Sequence, residues 1–355
     1  MSVVASRPGE QALGERIDQL ISLDAPARGV IAQLYRWARD DAPGPLAMTA
    51  ARLLAERVDR ESVVFIATGW PDRPHITPEI AETDGPPGAA ALALALHRGL
   101  GAVPVVLVEP SLVRATAQVV EATGLRVLTP HQAKAAARSA APIHAAAVLP
   151  FPTDREEAKV EAVRLLDSFV PAACVAIEKG GMNEKGFVHT SRGDETSEHM
   201  SKVDYLFQEA ARRHVATIGI GDGGNEIGMA RIREKIAQNV PYGAAGKDPA
   251  KGGIAPSTMT DVLIAASISN WGAYGLAAGI AYLRGDIGIL HDADVEARLH
   301  AAGARASFID GITGYVEPGA DGLAAPIHQA FVTLLRETVR QALLKEKPPI
   351  QGDER

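Results

Sequence analysis

The 355-residue sequence predicts an α/β fold, a doubly wound, mostly parallel sheet flanked by helices, with a helical N-terminal layer. Three observations carry that prediction. Short, continuously apolar runs appear from residue 62 onward. Helical stretches separate most of them. Polar, glycine-bearing loops directly follow several of the runs. Strands buried on both faces read as unbroken apolar runs, and alternation with helices implies parallel pairing.

The elements follow in order. Residues 1–60 read as a helical layer. Asp24 is placed as the cap of a helix whose apolar positions are Val30, Ile31, Leu34, Tyr35 and Trp37. A break at Pro43–Pro45 precedes a second helix carrying Leu46, Ala50, Leu53, Leu54 and Val58. Lying ahead of every strand, these helices are expected to form a cap or an oligomer contact. Strands are expected at Ser62–Ala67, Val103–Val108, Ala145–Leu149, Ala172–Ile177, Val215–Ile220 and Val262–Ala266, with a short extra one at Leu125–Leu128. Helices are expected at Ala89–Arg98, Ser111–Ala122, Glu156–Ser168, Lys202–Arg213 and Glu226–Ile236. Tyr242–Pro256 is rich in Gly, Pro and Lys and reads as an ordered loop or a flap. Asp292–Ala301 and Pro326–Leu344 read as helices. No linker separates two halves. Residues 61–345 are therefore read as one catalytic α/β domain, in one unit with the N-terminal layer, and 346–355 as a frayed polar tail.

Composition bounds the function. A net charge of −7 argues against a nucleic-acid or anionic-membrane partner, since both need a basic surface. No apolar stretch reaches the roughly 18–20 residues of a membrane span. The start MSVVASRPGEQ lacks a secretory pattern, so a cytoplasmic location is expected. The single cysteine, Cys174, lies in an apolar run and reads as a buried filler. The ten histidines show no H-x-x-x-H pair, so a histidine zinc site is not expected; His189 and His199 merely flank one loop. There is no G-x-S-x-G elbow and no P-loop lysine.

Ligands in an open parallel sheet bind where strands end. Three such loops stand out. The first, after Ala67, carries Glu82 and Asp84 in ETDGPPG before a helix that begins near Pro86. Asp84 is a candidate cap; together, the two carboxylates in a rigid Gly/Pro setting suit a hard cation such as Mg²⁺ or Mn²⁺. The second, after Ile177, is EKGGMNEKG. Glu178 is a candidate metal ligand or general base, Lys179 a candidate carboxylate binder, and Glu184 and Lys185 read as solvated. The third, Gly219–Gly228, formally matches G-x-G-x-x-G. It falls late in the chain, lacks a ribose-binding acid about 20 residues on, and carries Asp222, which would repel a pyrophosphate. A nicotinamide is therefore not expected, nor is pyridoxal phosphate. Asp222 and Glu226, four apart, would share a face if a helix began here. Ser269–Gly272 and Asp310–Gly314 are polar loops, with Asn270 read as a cap of the next helix and Asp310 as a turn initiator.

As a set, ETDGPPG, EKGGMNEKG, GDGGNEIGM (221–229), SNWG (269–272) and DGITG (310–314) resemble the D-glutamate cyclase family, in its C-terminal cyclase-like domain. The resemblance spans roughly residues 25–330. It implies a hydro-lyase converting D-glutamate to 5-oxo-D-proline and water, a divalent metal in an acidic pocket, and a stand-alone form without the further N-terminal domain of some relatives. Lactam formation needs a base for the ammonium, stabilisation of a developing oxyanion, and a folded substrate. On that chemistry Glu82, Asp84, Asp222 and Glu226 are assigned to a Mg²⁺ or Mn²⁺ site. Glu178, Lys179 and Asp222 are the catalytic set. Lys179, Asn183, Gly223, Gly224 and Asn225 bind the acidic amino acid. A homo-oligomer is compatible with the N-terminal helices. The competing readings are a metal-dependent enzyme of another small amino acid or lactam, a nucleotide- or phosphate-binding α/β protein, and a non-catalytic regulator that binds a metal or an amino acid.

Overall fold

Seven strands, six of them buried apolar runs, pair side by side in one parallel sheet of the computed structural model, which describes residues 7–141 and 143–346. The expected tail from 347 onward lies outside the described residues. The layer of α1 (Glu10–Ile21), α2 (Ile31–Asp41) and α3 (Leu46–Arg57) comes first. The sheet then begins with β1 (Val63–Ala67), followed by α4 (Pro86–Leu100), β2 (Val103–Val108) and α5 (Val113–Glu121). Next come β3 (Arg126–Val127), α6 (Pro130–Arg138), β4 (Ala145–Pro150), α7 (Arg155–Phe169) and β5 (Ala173–Ile177). The second half holds α8 (Asp204–Arg212), β6 (Ala216–Gly221), α9 (Arg233–Asn239), β7 (Val262–Ala265), α10 (Ser269–Arg284) and α11 (Ala293–Arg305). A hairpin of β8 (Gly319–Ala320) and β9 (Leu323–Ala324) leads into α12 (Ala325–Glu346).

The strand order is β3-β4-β2-β1-β5-β6-β7. The chain winds outward from β1 to one edge and then returns to add β5, β6 and β7 on the other side. The winding reverses between neighbours β1 and β5, and in such sheets the crevice opens at that switch point. Side chains alternate between two cores, as the strand period requires. Val64 and Ile66 enter the core shared with α4 and α10; Val63, Phe65 and Ala67 enter the core shared with α7 and α8. Cys174 faces the latter and burial pushes its thiol up, so it is a strand filler.

The N-terminal layer has its own role in this packing. α1 and α3 pack against α10, and α2 and α3 cover the β7 edge of the sheet. Asp18 of α1 accepts the Leu46 and Ala47 N–H groups, which ties the start of α3 to α1. Asp24 does not cap α2. Its carboxylate accepts the N–H groups of Arg28 and Gly29, closing the loop that presents Arg28.

Two expected segments differ. No helix starts at Glu226: that residue makes an antiparallel bridge with Gly180, and the helical turn begins at Met229. The 269–272 segment is not a loop but the first turn of α10. The segment 242–256 is an ordered loop, held by Asn183 through the carbonyls of Lys251 and Gly253.

Candidate active site

The loops after β1, β5 and β6 and the start of α10 converge at the carboxyl edge of the sheet. The three loops line a cavity of about 780 Å³ with Arg28 and Asp321 of the β8–β9 turn, and the start of α10 packs behind them. Its walls include Glu82, Glu178, Asp222 and Asp321 among acids, and Arg28, Arg73, His75, Arg192 and His199 among bases.

Glu178 leaves β5 with φ +45°, a left-handed conformation that costs a non-glycine residue energy. The twist turns its carboxylate into the crevice, where Oε2 accepts the Ser269 hydroxyl at 2.5 Å. Gly85 is required opposite it: at φ +102°, a Cβ there would press on Glu178 Cβ and Thr68 Oγ1. Burial, then the charges of Asp222 and Glu226, raise the Glu178 carboxyl well above its ordinary value.

Asp222 follows β6 directly. It forms a two-pronged pair with Arg28, Nη1 to Oδ2 at 2.8 Å and Nη2 to Oδ1 at 2.7 Å. Arg28 Nη1 also donates to Asp321 Oδ2 at 2.7 Å. Burial works against the guanidinium charge, but Asp222 and Asp321 outweigh it and hold it protonated. Burial, then the Asp222 charge, push Asp321 up to about 8. Neither Arg28 nor Asp321 was among the residues expected from sequence. Asp321 had a local signal: Asp321-Gly322, with φ +54° and +77°, is the two-residue turn of the hairpin, and Asp-Gly favours that turn. Arg28 had none.

Several expected roles change. Lys179 is fully buried and faces away from the cavity lining; its ammonium pairs with Glu109 and donates to Gly69 O at 2.9 Å and Thr68 O at 3.3 Å. It is committed to joining the β5 loop to the loops after β1 and β2 and does not reach a ligand in this arrangement. Asn183 likewise spends its amide on loop structure, accepting from Lys185 N and Phe187 N of its own loop and donating to the 251 and 253 carbonyls of the 242–256 loop. Glu226 curls back on its own loop: Oε1 accepts Asp222 and Gly223 N–H, and Oε2 accepts Gly224 and Asn225 N–H. That loop is an anion nest already filled by the protein's own carboxylate, which leaves no cradle for a phosphate. Gly223 and Asn225 line the cavity, and Asn225 is fixed by donation to His189 O at 2.9 Å. Gly224, at φ +94°, shapes the nest and is not in the cavity lining.

Asp84 caps a helix, but not the one expected. Its oxygens accept Ser269 N and Asn270 N, each at 2.8 Å, at the start of α10. Asn270 returns the contact: Oδ1 accepts Gly85 N at 3.0 Å and Gly88 N at 2.7 Å, at the start of α4. Each helix therefore carries the cap of the other. Glu82 lines the cavity, makes no side-chain hydrogen bond among the described residues, and is raised well above its usual range by burial and then by Asp321. Asp310, the expected turn initiator, accepts Ile312 N, Thr313 N and, from the hairpin, Gly322 N.

The donor chemistry fits a hard divalent cation. One carboxylate oxygen each from Asp84, Asp222 and Asp321 lie within 4.8 Å of one another, and so do those of Glu178, Asp222 and Glu226. Among the described residues, Arg28 is the one cationic side chain bonded to this group. Charge therefore remains to be offset by protons or by a bound cation.

Residues 17–336 match the family model described as D-glutamate cyclase-like, C-terminal. The chain is also 28% identical over 220 residues to a Homo sapiens protein, D-glutamate cyclase, mitochondrial. That stretch covers 61% of this chain and 32% of the human protein. Among the described residues, no helix is long and apolar enough to cross a membrane.

Proposed function

The chain belongs to the D-glutamate cyclase-like family, and from that membership we propose that it is a hydro-lyase closing D-glutamate to 5-oxo-D-proline and water. The observation that carries the reading is the mixed charge of the cavity: the buried carboxylates of Glu178, Asp222 and Asp321 share its lining with the more exposed Arg73 and Arg192, beside the acids Asp72, Asp194, Glu195 and Glu198. An acidic amino acid presents the complementary pattern, one ammonium and two carboxylates.

The reaction joins the α-nitrogen to the γ-carboxyl carbon. A C–N bond forms, a C–O bond breaks, and the two protons that nitrogen gives up leave on the departing oxygen as water. Glu178 is assigned as the base for the ammonium. Burial raises its affinity for the proton it takes, while the Ser269 hydroxyl, donating to Oε2, and the substrate ammonium favour the ionised form that accepts it. Without a cation Asp321, pushed up to about 8, holds a proton at neutral pH and is assigned as the acid for the leaving oxygen; with a cation bound it would serve as a ligand instead. Asp222, paired with Arg28, provides fixed negative charge for the ammonium. Arg192 replaces Lys179 as the carboxylate binder: it is exposed at the mouth, with no bonded partner among the described residues. Asp84, Asp222 and Asp321 would hold a Mg²⁺ or Mn²⁺ ion, with Glu82 and Glu178 close by. Such an ion would polarise the γ-carboxylate.

The test is incubation with D- or L-glutamate and Mn²⁺ or Mg²⁺, with 5-oxoproline followed by mass spectrometry. Lactam is expected from the D-isomer. Glu178→Gln and Asp222→Asn should each cut turnover by about 10²–10⁴-fold, the usual worth of a positioned acid or base. Arg192→Ala should chiefly raise KM. Wild-type protein that binds glutamate without turnover, or near-normal rates in both carboxylate variants, overturns the proposal.

A further inference from the structure

We propose that His328, outside the cavity, is a positioning residue that sets the distance between two walls of the acidic site. His328 lies on α12 and is fully buried. Its Nδ1 accepts the Trp271 indole N–H at 3.1 Å. Its Nε2 faces Leu323 O at 3.1 Å and Ala320 O at 3.3 Å. These partners assign the tautomer. An indole N–H only donates and a carbonyl only accepts, so Nδ1 is bare and Nε2 carries the proton. Burial, and then the neighbouring His300, pull the imidazole down to about 4, so the neutral form persists through the ordinary working range.

Each end of this bridge lies next to a cavity wall. On one side, Trp271 is in the first turn of α10, two residues after Ser269, the donor to Glu178. Stacking on Phe331, with centroids 4.0 Å apart and planes 4° apart, fixes the indole there. On the other side, Ala320 and Leu323 flank the Asp321-Gly322 turn that points Asp321 at Arg28. Two-residue strands cannot hold a hairpin by themselves, and Asp321 sits at positive φ. The turn therefore needs outside support. Asp310 supplies one anchor through Gly322 N, and His328 supplies the other through the two carbonyls. A single imidazole thus couples the wall that aims Glu178 to the wall that aims Asp321.

The kinetic part of the test rests on the lactam-forming reading; the exchange part does not. His328→Leu removes both bonds, whereas His328→Gln keeps a side-chain donor and acceptor. His328→Leu should lower kcat about 10–100-fold, the scale of a small misplacement at a reacting centre, with KM changed less than about threefold. His328→Gln should recover most of the loss. Hydrogen exchange on the same proteins should show faster exchange at residues 319–324 and 269–272 in the Leu variant, with β4 unchanged. Should the wild type form no lactam, the lactam reading fails and the exchange pattern alone decides the bridge. The proposal is overturned by an unaltered exchange pattern in His328→Leu, by acceleration spread equally into β4, or by a kcat in His328→Leu equal to that of an active wild type.

Discussion

Four backbone N–H groups converge on the Glu226 carboxylate, so this acid is spent on shaping a loop. The neighbouring Asp222, four residues earlier, instead faces the cavity and pairs with Arg28. Local sequence did not separate the two, since both are acids in one glycine-rich segment. Only the direction of each side chain does. Replacing Glu226 with Gln puts an amide N–H₂ against two donors and removes the charge that the others use. Hydrogen bonds to a charged group are worth about 1.5–3 kcal/mol, so a loss of roughly 3 kcal/mol is expected in urea unfolding. A variant as stable as the wild type would show that the nest does not depend on the carboxylate. Lys179 teaches the same lesson. It follows Glu178 directly at the strand end, yet adjacent side chains there point apart, one into the cavity and one into the pair with Glu109.

The unit that frames the site, at the scale of elements, is the pair of helices α4 and α10. Their N-termini exchange caps through Asp84 and Asn270, and each cap fills N–H groups that a helix start leaves unpaired. The sequence signalled both helix starts, through Asp84 before Pro86-Pro87 and through Ser269-Asn270. It did not signal the exchange, because each capping residue is nearer in sequence to the helix it does not serve. Asn270→Ala should cost about 1–2 kcal/mol, the upper range for lost caps, since two N–H groups lose one acceptor. Combined with Asp84→Ala, the total should depart from the sum by at least about 0.5 kcal/mol, because the two residues touch. Strict additivity in thermal or urea melts would mean that the caps act separately. The expected helix at 226–236 fails for a related reason. Glu226 is drawn back into its loop, and helical geometry starts only after Gly228, at Met229.

For the whole molecule, the concentration of buried carboxylates makes stability depend on pH and on cations. Asp321 titrates near 8 in the folded chain and near 3.8 when unfolded, so between those values the folded state binds the extra proton. Stability from this group is therefore present at low pH and is lost as pH rises through that window. Wild type compared with Asp321→Asn should show the difference as a melting temperature that falls more steeply from pH 5 to pH 8. Mn²⁺ binds the same oxygens in competition with protons, so it should raise the wild-type melting temperature more at pH 8 than at pH 5. No cation effect at either pH would remove the metal from the proposed mechanism.

Although α6 was not expected and the helix expected from Glu226 begins only at Met229, the strands, most of the helices between them and the acids in the loops after strands were determined by the sequence alone. Each depends on neighbours a few residues away: an unbroken apolar run is a buried strand wherever it lies, and the next loop must emerge at the sheet edge. Glu178 and Asp222 were found in that way, and the Glu82/Asp84 pair as acids in a rigid Gly/Pro loop just before a helix. The tertiary structure alone decided which carboxylates face the cavity with free chemistry and which are consumed. It brought Arg28 to Asp222 across 194 residues and to Asp321 across 293. Such contacts form because the winding order places distant loops at one switch point, and no local pattern encodes that meeting.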